Sequence, residues 1–131
     1  MSYPKSFTNG SNEAGNKIIF SPNIIKRGQA MTKETWYSLT LKEQLSNIHG
    51  EVKRLIRARN NYQSGKSSQD HSAAYLKKIH DLIEITCEDP KNIRRRPELS
   101  AEERELLSWV NHEVDDDYIL RYWEQYTRAI S

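Results

Sequence analysis

The most restrictive feature of the sequence is a run of apolar residues with helical spacing that follows a strong helix-start signal. In the segment Thr40-Leu41-Lys42-Glu43 the threonine hydroxyl can accept a hydrogen bond from the backbone N–H of Glu43, and the Glu43 carboxylate can accept one from the backbone N–H of Thr40. From Leu45 to Leu55 the apolar side chains recur at intervals of three, four and three residues, which places them on one helix face. The pattern predicts a helix from Thr40 to about Tyr62 and excludes a strand.

Three further helices are predicted. The second begins near Ser67 or Ser68 and ends by Asp89, because Pro90 disfavours helical geometry in the residue before it. The third begins at another capping box, Ser100-Ala101-Glu102-Glu103, and carries apolar residues as far as Val114. The fourth follows Asp115-Asp116-Asp117, three carboxylates that suit a helix N-terminus. Arg94-Arg95-Arg96 is then expected in the loop after the second helix.

The pattern as a whole predicts an all-α protein. Short connections favour antiparallel neighbours, so we expect an antiparallel four-helix bundle, or two long helices plus a shorter helical hairpin. Residues 1–31 are predicted to be an extended or disordered N-terminal arm, and residues 32–131 a single helical domain. Five glycines and four prolines among 131 residues are too few for a sandwich or barrel. No apolar stretch is long enough to span a membrane.

Two groups of apolar and aromatic residues are candidates for contact with a protein partner. Within the polar arm, two short clusters can pair as an edge strand or dock into a neighbour, unless the arm is a disordered leader. On the fourth helix, tyrosines recur at intervals of four; we expect Trp123 and Tyr126 in the core and the others on the surface. The candidate partner-binding residues are Ile18, Ile19, Phe20, Ile24, Ile25, Tyr118 and Tyr122.

Charge is distributed unevenly along the chain. Residues 1–97 contain 17 Lys and Arg against 9 Asp and Glu, whereas residues 98–131 contain 3 against 9. Such asymmetry is typical of a basic surface for nucleic acid or for an acidic partner, and also of two halves that neutralise each other. The candidate residues for binding nucleic acid or an acidic partner are Lys53, Arg54, Arg57, Arg59, Arg94, Arg95 and Arg96.

No catalytic constellation is present in the sequence. The candidate metal ligands show neither H-x-x-x-H nor CxxC spacing, so we predict no metal site, no cofactor and no enzymatic activity. The single cysteine, Cys87, precedes acidic residues near a helix C-terminus, which disfavours a thiolate, and a lone cysteine fits a reducing, cytoplasmic compartment. The candidate ligands considered are His49, His71, His80, His112 and Cys87.

The segment from Trp36 to Arg54 has the pattern W-x-x-L-x-x-x-x-Q-L-x-N-I-x-x-E-V-x-R. This pattern resembles the opening of a widespread family of small, poorly characterised bacterial helical proteins. The family's second helix ends in an acidic residue before Asp-Pro, as at Glu88-Asp89-Pro90 here. The resemblance covers residues 36–96, while the arm and the last two helices depart from it. In size and bundle architecture the family is similar to accessory proteins of diversity-generating retroelements.

These observations predict a non-enzymatic helical accessory or adaptor protein of a bacterial or mobile-element assembly, such as a ribonucleoprotein. Its basic surfaces would contact RNA, DNA or an acidic protein, and its arm and fourth helix would contact protein, including another copy of itself. The sequence does not fix the oligomeric state. The rival hypothesis is a regulatory protein of the antitoxin or immunity type. In that case the acidic segment 98–131 would mask a basic partner protein.

Overall fold

Helices account for most of the described part of the chain, which in the computed structural model comprises residues 18–19 and 31–130. The elements are two short strands, β1 (Ile18–Ile19) and β2 (Met31–Thr32), five α-helices and one 3-10 helix, Pro90–Arg95. The predicted all-α class is confirmed. The α-helices are α1 (Lys33–Tyr37), α2 (Leu41–Gln63), α3 (Ser72–Glu88), α4 (Arg96–Val110) and α5 (Asp116–Ala129).

The four longer helices form an antiparallel bundle. α2 packs against α3 and α5, and α4 packs against the same two helices. The start of α2 lies at the end of α3, because Gln44 Nε2 donates to Asp89 Oδ2 over 3.0 Å. The end of α2 lies at the start of α5, because Asn60 Nδ2 donates to Asp116 Oδ2 over 3.0 Å. The four helices therefore follow one another around a common core, as short connections favour.

The core is built from one apolar face of each helix. Three tryptophans, Trp36, Trp109 and Trp123, are its largest fully buried side chains, and each comes from a different helix. Burial of large apolar side chains of this kind stabilises a fold by about 1.5–3 kcal/mol each. The other buried apolar residues are Leu45, Ile48, Val52, Leu55, Ile56, Ile79, Leu82, Ile83, Ile85, Leu99, Leu106, Ile119 and Ile130.

A buried polar network attaches α1 and the 3-10 helix to the end of the bundle. Trp36 Nε1 donates to Thr86 Oγ1 over 2.9 Å, and Gln44 Nε2 donates to the Trp36 carbonyl over 2.9 Å. Asn92 Nδ2 in turn donates to Gln44 Oε1 and to the Thr86 carbonyl. Buried polar groups need such partners, so these residues specify one arrangement of the elements. Trp36 thus lies inside the core, where its indole is fully buried.

The predicted start of the second helix at Ser67 or Ser68 is wrong, because α3 begins at Ser72. The Asp70 carboxylate accepts hydrogen bonds from the backbone N–H and the hydroxyl of Ser72, which fixes the first turn there. Those bonds hold the pKa of Asp70 below its usual range. The predicted end of α2 is confirmed: the helix ends at Gln63, and Gly65, two residues later, has φ +81°, a left-handed conformation that glycine adopts readily.

The predicted start of the third helix at Ser100 is also wrong. α4 begins at Arg96, because Pro97 suits the first turn of a helix. Backbone N–H groups in that turn have no acceptor within the helix, so proline, which lacks an N–H, loses no hydrogen bond there. Glu103 of the supposed capping box pairs with His80 of α3 instead. Arg94 and Arg95 consequently belong to the 3-10 helix rather than to a loop. The helix also ends earlier than predicted, at Val110.

The predicted arm is described only in part. Ile18 pairs with Thr32 and Ile19 with Met31 in an antiparallel arrangement of β1 and β2. The other predicted partner-binding residues of the arm, Phe20, Ile24 and Ile25, lie outside the described residues. The boundary near residue 31 stays a prediction.

The turn after α4 contains a strained residue, His112, at φ +61°. His112 N donates to the Trp109 carbonyl and Glu113 N to the Ser108 carbonyl, the bonding pattern of a helix end that glycine normally supplies. Replacing His112 with glycine should therefore raise the free energy of unfolding by about 0.5–1 kcal/mol. Urea denaturation measures this change, and an unchanged or lower stability would contradict it.

Candidate nucleic-acid interface

The outer surface between α2 and α3 carries a groove of about 280 Å³, here called the α2–α3 groove. Its lining combines cationic, amide, hydroxyl and aromatic groups, which together can bind phosphate and stack a base. The lining residues are Arg54, Arg57, Ala58, Asn61, Ser67, His71 and Tyr75.

The stretch that forms the groove is strongly basic. Residues 53–78 contain seven Lys and Arg side chains and one acidic residue, Asp70. The stretch runs down the second half of α2 and back up the first half of α3, so the antiparallel pairing gathers its charges at one end of the bundle. An excess of this kind attracts polyanions before any specific contact forms.

A buried carboxylate positions two cations beside the groove. Glu51 of α2 has a side chain only 4% exposed, and its Oε2 accepts from Arg54 Nη1 over 2.8 Å. Lys78 Nζ of α3 lies 3.6 Å from the other carboxylate oxygen. Removing either cation would leave a buried negative charge less compensated, which is costly. Arg54 and Lys78 are therefore both structural cations and sources of the local positive potential.

Tyr75 supplies the aromatic wall of the groove. Its ring is half-buried against the core, and Lys78 Nζ lies 5.9 Å from the ring centroid. Ser67 N donates to the Asn61 carbonyl over 3.1 Å, which holds the loop between α2 and α3 against α2. The exposed His71, at the start of α3, makes no side-chain capping bond.

Three basic side chains of this region remain available to a ligand. Lys53, Arg57 and Lys66 are exposed, and none of them forms an ion pair with another residue in the ranges 18–19 and 31–130. Lys53 and Arg57 are one helical turn apart on α2, and Arg57 lines the groove itself. Arg57 is thus the guanidinium best placed to bind a phosphate there.

Arg59, also predicted to bind nucleic acid, lies in a different environment. Its guanidinium carbon is 3.4 Å from the centroid of the Trp109 ring, and its Nη1 donates to the Trp109 carbonyl over 2.9 Å. Asp116 Oδ1 accepts from Trp109 Nε1 over 2.7 Å and lies 3.8 Å from Arg59 Nη2. Arg59 therefore joins α2 to α4 and α5, and its side chain is only 15% exposed.

The three remaining predicted cations lie away from the groove, after the end of α3. Arg95 Nη1 pairs with Glu98 over 3.1 Å, and Arg96 Nε donates to the Cys87 carbonyl over 2.7 Å. Arg94 is exposed and makes no ion pair with any described residue. The structure therefore brings Lys53, Arg54 and Arg57 together but does not bring Arg94–Arg96 to them.

The surface between α4 and α5 carries an acidic and aromatic arrangement, here called the Tyr–Glu ladder. Tyr118 donates to Glu105, Tyr122 lies beside Glu102, and Tyr126 lies beside Glu98. Tyr118 and Tyr122 are stacked, with ring centroids 6.1 Å apart. Tyr118, a predicted partner-binding residue, is 41% exposed, while Tyr122 is half-buried and Trp123 is in the core.

Sequence reasoning found the tyrosines of the ladder but missed the glutamates that face them. Glu98, Glu102 and Glu105 lie at i, i+4 and i+7 of α4, so their spacing alone places them on one helix face. Glu102 is only 2% exposed, and its Oε1 has no hydrogen-bond partner. Burial next to Glu105 and Glu98 raises the pKa of Glu102 to about 8.

Metal and membrane sites find no support in the described ranges. No group of three or more His, Cys, Asp and Glu side chains is arranged there to hold a metal ion. His80 instead bridges two carboxylates, those of Glu84 and Glu103. None of the described helices combines the length and apolar composition needed to cross a membrane.

Comparison of the chain with models of known protein families, with curated proteins and with solved structures found no match. The resemblance of residues 36–96 to bacterial helical proteins therefore stays a prediction.

Proposed function

We propose that the protein is a non-enzymatic accessory protein that binds nucleic acid through the α2–α3 groove. The observation that carries this proposal is a groove with an aromatic wall that is lined by Arg54 and Arg57, within a stretch, residues 53–78, that contains seven Lys and Arg side chains and one acidic residue. Phosphate contacts of Lys and Arg dominate the affinity of nucleic-acid complexes. The proposed setting, a cytoplasmic ribonucleoprotein of a bacterium or mobile element, follows from the resemblance of residues 36–96.

Arg57 gives the sharpest test, because it is exposed and lines the groove without an ion pair to any described residue. Replacing Arg57 with glutamine should weaken binding of a short oligouridylate roughly 5-fold near 50 mM salt. The slope of log affinity against log salt should become shallower by about 0.7 to 0.9, the contribution of one phosphate contact. Fluorescence anisotropy of a labelled strand measures both quantities.

Arg104→Gln is the matched control for this test. Arg104 is exposed on α4, away from the α2–α3 groove, and its substitution changes the net charge by the same amount. The control should retain the affinity and the salt slope of the wild type. Equal losses in the two variants would mean that only net charge matters, and the groove would then not be the binding site.

A second candidate function is supported by the Tyr–Glu ladder. The exposed Tyr118, stacked on the half-buried Tyr122 beside carboxylates, is suited to a basic protein surface, as the antitoxin or immunity hypothesis requires. The two functions predict opposite sensitivities. Tyr118→Ala would abolish capture of a basic partner and leave oligouridylate binding intact, whereas Arg57→Gln would weaken oligouridylate binding and leave capture of the basic partner intact.

A further inference from the structure

We infer that the α2–α3 groove selects a single-stranded nucleic acid, by stacking one base on Tyr75 while Arg57 binds an adjacent phosphate. This inference rests on the proposed function and specifies its ligand. It is carried by the juxtaposition, within one groove of about 280 Å³, of a half-buried ring and a guanidinium that forms no ion pair with any residue the structure describes.

The Tyr75 ring is half-buried: it packs against the core and also forms part of the groove lining. Lys78 Nζ, 5.9 Å from the ring centroid, is itself held by the buried Glu51. A ring that is already ordered loses little conformational freedom when a base stacks on it, so the site is prepared for this contact.

Polar groups around the ring suit the other parts of a nucleotide. Arg57 offers N–H donors to a phosphate, and a guanidinium matches phosphate geometry better than an ammonium does. The side chains of Asn61 and Ser67 lie in the same lining and can donate to sugar or base oxygens. The exposed His71 adds a ring nitrogen at the start of α3.

The groove favours a single strand over a duplex because stacking on Tyr75 requires a base with a free face. A duplex keeps its bases stacked and paired, so it can offer the groove phosphates but no free base face. A single strand can turn one base out onto the tyrosine and still place its phosphate on the arginine. An acidic protein segment without aromatic residues has carboxylates for the cations but no aromatic face to stack on the ring. The arrangement therefore favours nucleic acid over an acidic protein.

The test compares Tyr75→Leu with Tyr75→Phe. Leucine keeps an apolar side chain against the core but removes the ring, whereas phenylalanine keeps the ring. Binding to oligouridylate and oligodeoxythymidylate is measured beside a short RNA duplex, heparin and poly-glutamate, which lack a free base face. Circular dichroism establishes that both variants retain the helical fold.

We expect the wild type to bind the single strands more tightly than the other probes. Tyr75→Leu should weaken single-strand binding by about 5- to 100-fold and leave duplex and heparin binding unchanged, while Tyr75→Phe should behave as the wild type. Binding of oligouridylate, of oligodeoxythymidylate or of both supports the inference and identifies the sugar of the preferred strand.

Two results would overturn the inference while leaving the proposed function intact. The first is unchanged oligouridylate binding by Tyr75→Leu, and the second is duplex binding by the wild type as tight as single-strand binding. A preference for poly-glutamate, or no binding of any nucleic acid, would instead refute the proposed function together with the inference.

Discussion

Replacing Glu102 with glutamine is expected to stabilise the protein strongly above neutral pH and to leave its stability near pH 4 almost unchanged. Burial of the Glu102 carboxyl group, together with the nearby charges of Glu105 and Glu98, raises its folded-state pKa from the ordinary 4.5 to about 8. Between these two pH values the folded protein holds a proton that the unfolded chain has released. Stability therefore falls as pH rises through this range.

The difference between the folded and unfolded pKa values corresponds to a decrease in the free energy of unfolding of the order of 5 kcal/mol. This decrease is complete above about pH 8. Glutamine has the same shape and carries no proton that can be lost. We therefore expect a urea midpoint that declines from pH 5 to pH 9 in the wild type and declines much less in Glu102→Gln. Because globular domains are stable by only about 5–15 kcal/mol, this gain is large.

Glu113→Gln is the control for the effect of removing one negative charge. Glu113 lies in the exposed turn between α4 and α5, and its substitution should leave the pH dependence of the wild type in place. If Glu102→Gln and Glu113→Gln gave parallel pH profiles, the carboxyl of Glu102 would be ionised at no cost in the folded protein. The account of the Tyr–Glu ladder would then be wrong.

Replacing Trp36 with alanine is expected to cost about 3–5 kcal/mol of unfolding free energy. The indole is fully buried, and it loses both its packing and its donor bond to Thr86 Oγ1, 2.9 Å away. A loss of this size would show that α1 is an integral part of the domain. Chemical denaturation monitored by circular dichroism measures it.

Tyr62→Ala is the control for aromatic truncation outside the core. Tyr62 lies near the end of α2 and is 46% exposed, so its removal should cost well under half as much as that of Trp36. A cost below about 1 kcal/mol for Trp36→Ala would mean that α1 detaches without affecting the bundle. The compact domain would then begin at α2.

Sequence pattern predicted those parts of the fold that local chemistry decides. α2 was predicted to within a residue, because the bonds between Thr40 and Glu43 start it and Gly65 ends it. The start of α4 was not predicted, because the sequence contains two helix-start signals there, the capping box at Ser100 and Pro97. The helix starts at the Pro97 turn, and Glu103 of the capping box pairs with His80. That choice depends on the packing of α3 against α4, which no local pattern contains.

The candidate site shows the same division. The basic cluster on α2 was visible in the sequence, because Lys53, Arg54 and Arg57 lie within about one turn. The contact of Arg59 with Trp109 was not visible in the sequence, since the two residues are fifty positions apart and meet only in the folded bundle. The place of Tyr75 in the α2–α3 groove likewise depends on the antiparallel pairing of α2 with α3.

The most direct test of the proposed binding site is an NMR titration of the labelled protein with oligouridylate. The account predicts that backbone amide shifts change along residues 54–75, most strongly near Arg57, Asn61 and Tyr75, while α4 and α5 stay unaffected. Shift changes confined to the Tyr–Glu ladder, or the absence of any change at low salt, would contradict the assignment of the α2–α3 groove as a nucleic-acid interface.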